Sequence, residues 1–168
     1  LQKKYILNYA KLEKSNSVNN IKHPLFRETL KYFNIKKPLH LSSHADIPSG
    51  TGLGSSGCFT VTLANILSKY KNLNLSKKEL AEIACHIEIE RLKEPVGKQD
   101  QYVASFGGLH EYVFNKNNTT EVNKLKIDKK FSTKLEDSMA LFFTGYTRNS
   151  YDILNIQDKK TKLLDKQM

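Results

Sequence analysis

At 168 residues the chain suits one domain of ordinary size, or one domain and a piece of a second. Its 39% hydrophobic content permits a true core, its 26% charged content excludes wholesale disorder, and no apolar run approaches the ~20 residues of a membrane span. A net charge of +10 fits either a solvated basic surface or an anionic ligand. The lysines fall in scattered pairs without zinc-finger spacing or an aromatic RNA-binding strand, so nucleic acid is not the expected partner.

The chain opens on Leu1-Gln-Lys-Lys4, which carries no signal-peptide pattern, and the missing start Met predicts a longer gene product. Tyr5 to Leu12 reads as one strand. His23-Pro24 starts a helix through Phe33, since proline suits a first turn. Pro38 to Ser43 is a short strand leading into a glycine-rich loop. The helix after that loop places Phe59, Leu63, Ile66, Leu67 and Tyr70 on one stripe. Ser76-Lys-Lys-Glu79 is a capping box that opens a third helix, with Leu80, Ile83 and Ile87 as its core face. A shorter helix runs from Asp100 to Phe106 and stops at Gly107-Gly108. Leu109 to Phe114 and Glu121 to Ile127 form a hairpin. Met139 to Thr144 is a strongly apolar strand, and Ser150 onward looks helical and basic. The expected class is α+β. Cys58 and Cys85, each on a helix among apolar neighbours, are expected as buried free thiols, which fits a reducing cytoplasm.

Gly52-Leu-Gly-Ser-Ser-Gly57 matches the G-x-G-x-x-G pattern, but a dinucleotide fold needs a following strand that ends in an acid. Here a second helix follows instead. A Walker-type loop fails as well, because no Lys-Ser/Thr follows the last glycine. What remains is a backbone that a ligand can approach at Gly50, Gly52 and Gly54. Ser55 and Ser56 add hydroxyls at a helix N-terminus, where exposed N–H groups favour phosphate. A plain glycine turn with Ser55 as cap is the alternative. Glu90, spaced with Ile83 and Ile87, reads as an acid on a core-facing stripe. It is either a metal ligand or the exposed end of the helix, paired with Arg91 or Lys93. Asp100 reads as a helix cap, a role compatible with a catalytic carboxylate.

The stretch Pro48-Ser-Gly-Thr-Gly-Leu-Gly-Ser-Ser56 resembles the second motif of the GHMP kinase superfamily. The resemblance implies that Pro48, Gly50 and Thr51 lead into a loop wrapping the ATP phosphates, lined by Gly52, Leu53, Gly54, Ser55, Ser56 and Gly57. It further implies that Ser56 and Glu90 bind Mg²⁺. Pro95-Val-Gly-Lys-Gln-Asp-Gln101 is similar to the galactokinase stretch whose Asp faces the acceptor hydroxyl, which implies Asp100 as general base or orienting group.

Several further segments are similar to the D-glycero-D-manno-heptose 7-phosphate kinase group. These are Ser42 to Pro48, Cys85-His-Ile-Glu-Ile-Glu-Arg91, Glu94 to Tyr102, Phe106-Gly-Gly-Leu109 and Leu141 to Arg148. That resemblance implies phosphorylation of an anomeric hydroxyl, with Lys98, Thr144, Thr147 and Arg148 as contacts to a phosphorylated sugar. Its partners are ATP and a small sugar phosphate, and its product would feed nucleotide-activated heptose for surface polysaccharide. The superfamily's first and third glycine-rich motifs are missing. The architecture expected is therefore an internal fragment of a two-domain kinase, with 1–134 in the ATP-binding domain and 135–168 opening the second. A fucose- or galactose-type kinase and a catalytically silent relative remain as alternatives.

Overall fold

A computed structural model describes residues 3–47, 50–145, 156, 157, 160 and 161. They divide into two compact units, one built from residues up to Phe106 and one spanning Gly107–Thr147. The mixed α+β class matches the expectation from sequence.

In the first unit the expected N-terminal strand is two. β1 (Tyr5–Asn8) and β2 (Leu12–Ser15) pair antiparallel, with Tyr5 opposite Ser15 and Asn8 opposite Leu12. The chain reverses over Tyr9 to Lys11, where the Tyr9 N–H donates to the Lys11 carbonyl at 3.0 Å. β3 (His40–Ser42) joins β1 in parallel, giving the order β2-β1-β3. β1 is central, and its alternation buries Tyr5 and Leu7.

Between β1 and β3 runs α1 (Pro24–Tyr32), with proline in its first turn and His23 Nδ1 accepting from the Phe26 N–H. Asn34, at φ +49°, ends it in the left-handed conformation that asparagine tolerates. Phe26, Leu30, Phe33 and Ile35 pack with Tyr5, Leu7, Leu63, Leu67 and Leu80 into one core. Tyr5 is accommodated there because its hydroxyl donates to the Ile35 carbonyl at 2.9 Å.

α2 (Ser55–Tyr70) packs on α1, α3 and α4. Its buried surface differs from the stripe expected: Ile66 and Tyr70 are exposed, while Gly57, Thr60, Ala64 and Ser68 are buried beside Leu63 and Leu67. Those small residues, at offsets of 3, 7 and 11, let neighbouring helices come close. The hydroxyls on this face are satisfied within the helix, Thr60 Oγ1 donating to the Ser56 carbonyl and Ser68 Oγ to the Asn65 carbonyl.

α3 (Lys77–Cys85) begins at the expected capping box: Ser76 accepts from the Glu79 N–H, and the Glu79 carboxylate accepts from the Ser76 N–H. It presents a small face of its own, Ala81 and Ala84, both fully buried. α3 then widens into a π-helical turn over His86–Arg91. The Leu92 N–H reaches back five residues to the Ile87 carbonyl at 3.1 Å, and Glu94 N–H reaches the Glu88 carbonyl at 3.0 Å. Lys93, at φ +57°, closes the turn. α4 (Gln99–Phe106) follows and lies on α2 and α3, tied to the start of α3 by Lys77 Nζ donating to the Phe106 carbonyl at 2.7 Å.

The second unit holds the expected hairpin, β4 (His110–Phe114) and β5 (Thr120–Lys124), in antiparallel register from His110–Lys124 to Phe114–Thr120. α5 (Lys129–Asp137) follows, capped by Asp128 accepting from the Phe131 N–H at 2.7 Å. The strand expected over Met139 to Thr144 is not formed. The segment has no regular structure, and Leu141, Phe142 and Phe143 are 81%, 82% and 67% exposed. A strand needs a neighbour to satisfy its N–H and C=O groups, and among the described residues this segment has none. Of the basic stretch after Ser150, only Ile156, Gln157, Lys160 and Thr161 are described, all helical. Cys85 is buried, and burial pushes its thiol up to about 12 against the lowering charge of Lys98. Cys58 is exposed, contrary to expectation, because α2 turns its small face inward instead.

Candidate active site

The loop before α2 carries left-handed glycines at alternate positions: Gly50 (φ +79°), Gly52 (φ +78°) and Gly54 (φ +70°), with Thr51 and Leu53 not left-handed. Alternation of this kind turns successive N–H groups to one side and makes an anion-binding concavity. Gly54 is the N-cap of α2 and has no side chain to satisfy the first-turn donors, and no acid occupies that turn. The first-turn N–H groups at Ser55, Ser56 and Gly57 have no intrahelical acceptor and stand at the positive end of a 16-residue helix, the arrangement that favours a phosphate. Pro48 lies outside the described residues.

Asp100, in the first turn of α4, sits against this helix start. A Cβ on Gly54 would lie 3.1 Å from Asp100 Cγ and 3.3 Å from Oδ2, and one on Gly57 would lie 2.9 Å from Asp100 Cβ and 3.1 Å from the Gln101 N. Gly57 is helical, so it is needed for space, not for φ. Gly52 is the opposite case: nothing lies within 4 Å of its notional Cβ, and only its positive φ demands glycine. Gly57→Ala is therefore expected to destabilise the fold by about 1–3 kcal/mol through overpacking against α4. Gly52→Ala should strain the loop alone, so the denaturation midpoint should separate the two.

Beneath Asp100 lies Glu88, only 1% exposed, on the π-helical turn. Burial raises its pKa, the side chains of Gln101, Thr60 and Ser56 pull it back down, and the charge of Asp100 raises it. Oε1 of Glu88 and Oε1 of Gln101 are both buried without a hydrogen-bond partner among the described residues. The unpartnered, fully buried Glu88 oxygen lies in the same neighbourhood as the Ser56 hydroxyl and the Asp100 carboxylate, and oxygen donors of this kind are what Mg²⁺ prefers. The residues present fit such a cation.

Glu90, the acid expected on the core-facing stripe, is not there. Its side chain is 67% exposed and pairs with His86 Nδ1 at 2.7 Å on the outside of the turn. The buried face runs through Ala81, Ala84 and Ile87 to Glu88, so the inward acid is two residues earlier than the Ile83–Ile87 spacing suggests. Helical offsets of 7 and 4 from Ala81 and Ala84 carry the signal. A search for large apolar residues passes over it. Thr60 and Gln101 were likewise unselected by sequence, one as an anonymous helix residue and one as the neighbour of Asp100.

The other expected contacts are partly placed. Lys98 is half-buried, near enough to Cys85 to act on its thiol. Thr144 is exposed in the irregular segment of the second unit. Thr147 and Arg148 lie outside the described residues.

Residues 18–108, which include the loop, Glu88 and Asp100, match the family model of the GHMP kinases N terminal domain. The chain belongs to the GHMP kinases. It is 41% identical over 132 residues to a D-glycero-alpha-D-manno-heptose 7-phosphate kinase of Campylobacter jejuni, an alignment covering 77% of this chain and 38% of that one. Among solved structures, it resembles a D-glycero-D-manno-heptose 1-phosphate kinase from Bacteriodes thetaiotaomicron, with a TM-score of 0.73 at 25% identity over 82% of this chain and 49% of that one. It also resembles a putative sugar kinase from Campylobacter jejuni, with a TM-score of 0.67 at 31% identity over 80% and 45% of the two chains. This GHMP kinase chain thus spans less than half the length of those relatives. No helix among its described residues is long and apolar enough to cross a membrane.

Proposed function

We propose that this chain is the phosphate-binding part of an ATP- and Mg²⁺-dependent kinase that phosphorylates the C1 hydroxyl of D-glycero-D-manno-heptose 7-phosphate to the 1,7-bisphosphate. The observation that carries the reading is the convergence of Asp100 and Glu88 on the Gly54–Gly57 start of α2. The D-glycero-alpha-D-manno-heptose 7-phosphate kinase among its relatives supports the acceptor, and the heptose 1-phosphate kinase supports a phosphorylated heptose as substrate without its position. The cytoplasm, where ATP is available, is the expected compartment, and surface polysaccharide the expected destination of the product.

In this reading the N–H groups of Ser55, Ser56 and Gly57 and the loop glycines hold the ATP phosphates. Ser56 and Glu88, in place of Glu90, hold the cation. A bound Mg²⁺ supplies positive charge that neutralises the phosphoryl oxygens. Asp100 orients the acceptor hydroxyl in line with the γ-phosphorus and takes its proton as the new O–P bond forms and ADP departs. Lys98, Thr144, Thr147 and Arg148 are sugar-phosphate contacts in the same reading.

The test is ATP consumption by the full-length protein against heptose 7-phosphate, galactose, fucose and mevalonate, with the product's second phosphate located by ³¹P NMR. Turnover fastest on heptose 7-phosphate with the new phosphate on C1 is expected. Faster turnover of galactose or fucose would move the protein to another sugar-kinase class, and nucleotide binding without any turnover would mark a silent relative.

A further inference from the structure

Glu88 sits on the π turn at His86–Arg91, a rare arrangement that is frequent at functional sites. Its far end is fixed from outside. Arg91 donates from Nε (3.1 Å) and Nη2 (2.8 Å) to Oε2 of Glu28 on α1. The other oxygen of Glu28 accepts from Arg27 Nε at 3.2 Å and Lys31 Nζ at 3.0 Å. The Glu28 side chain is largely buried, and these cationic partners outweigh its burial and hold its carboxyl down at about 2. α1 is a firm anchor, since Phe26, Thr29 and Leu30 on either side of Glu28 are buried in the core. The π turn packs against α1 as well as α2. Arg91 therefore ties to α1 the turn whose Glu88, three residues earlier, is buried beside Ser56 and Thr60.

We propose that Glu28 and Arg91 are positioning residues, whose ion pair pins the π turn to α1 and thereby holds the Glu88 carboxylate beside Ser56 and the cation. This rests on the reading of Glu88 as a cation ligand.

The experiment uses the full-length protein and two readouts besides turnover: Mn²⁺ binding to the enzyme–ADP complex by water-proton relaxation, and hydrogen exchange at the Leu92 and Glu94 amides. Arg91→Gln and Glu28→Gln should each weaken Mn²⁺ binding about tenfold, the effect of losing a supporting contact behind a ligand. Both should speed exchange at Leu92, and Arg91→Lys, which keeps charge without the fork, should fall between. Unchanged Mn²⁺ affinity in both Gln variants, whatever their melting temperatures, would overturn the proposal. Glu88→Gln serves as reference. If it alone loses Mn²⁺ binding, the clamp fails and the ligand reading stands; if it binds Mn²⁺ like the parent, the ligand reading fails and takes the clamp with it.

Discussion

Asp100→Asn in the full-length protein is expected to lower kcat by about 10²–10⁴-fold, the usual worth of a positioned general base, while ATP affinity stays near the parent's. Asn keeps the shape of the side chain, so its contacts with the Gly54–Gly57 start of α2 survive and the helix N-terminus still binds phosphate. The negative charge and the capacity to accept a proton are lost together. Steady-state kinetics with varied sugar phosphate, together with calorimetric ATP binding, separate the two terms. Parent-like kcat would remove Asp100 as the base and leave it a packing role against the glycines.

Glu88→Gln should have the second large effect, and its two consequences run in opposite directions. Activity should fall by at least about 100-fold, because a neutral amide replaces a ligand expected to carry negative charge to the cation. Stability without ligands should rise at neutral pH, because burial disfavours the charged form of Glu88 that the unfolded chain adopts freely. The sign follows from its raised pKa. In the unfolded chain Glu88 ionises near the ordinary carboxylate value, but in the fold it holds its proton to a higher pH. The parent fold therefore loses stability as pH climbs through that window. The melting-temperature gap between the variant and parent should be widest at neutral pH and close below about pH 4.5. A variant both less active and less stable at pH 7 would mean that the Glu88 carboxylate is a structural support.

Local signals in the sequence were legible wherever a short-range rule governed them. Ser76 and Glu79 announce their helix because a capping box needs only four residues. The hairpin around Asn118 and the loop–helix junction at Gly54 are of the same kind. The failures share a different cause. On α2 and α3 the eye follows bulk, so Ile66 and Tyr70 are assigned to the interior and Glu90 is aligned with a core-facing stripe. The residues actually buried are small ones, Gly57, Thr60 and Ala64 on α2 and Ala81 and Ala84 on α3. Close packing there depends on the absence of side chain, which a search for large apolar residues cannot weigh. Glu88 is hidden by the same effect, compounded by a π turn that no short motif encodes. The apolar run from Met139 fails for a third reason: strand propensity is local, but the hydrogen-bond partner is not.

The 2.9 Å approach of a notional Gly57 side chain to Asp100 Cβ also bears on protein engineering. Positions 54, 57 and 100 share one volume, so substitutions there will not combine additively. A larger residue at 57 becomes tolerable only if α4 shifts or the side chain at 100 shrinks, and either change alters the carboxylate proposed to face the acceptor. Libraries aimed at new acceptors should therefore randomise the three positions together, because single-site scans would score each as immutable when the constraint is joint.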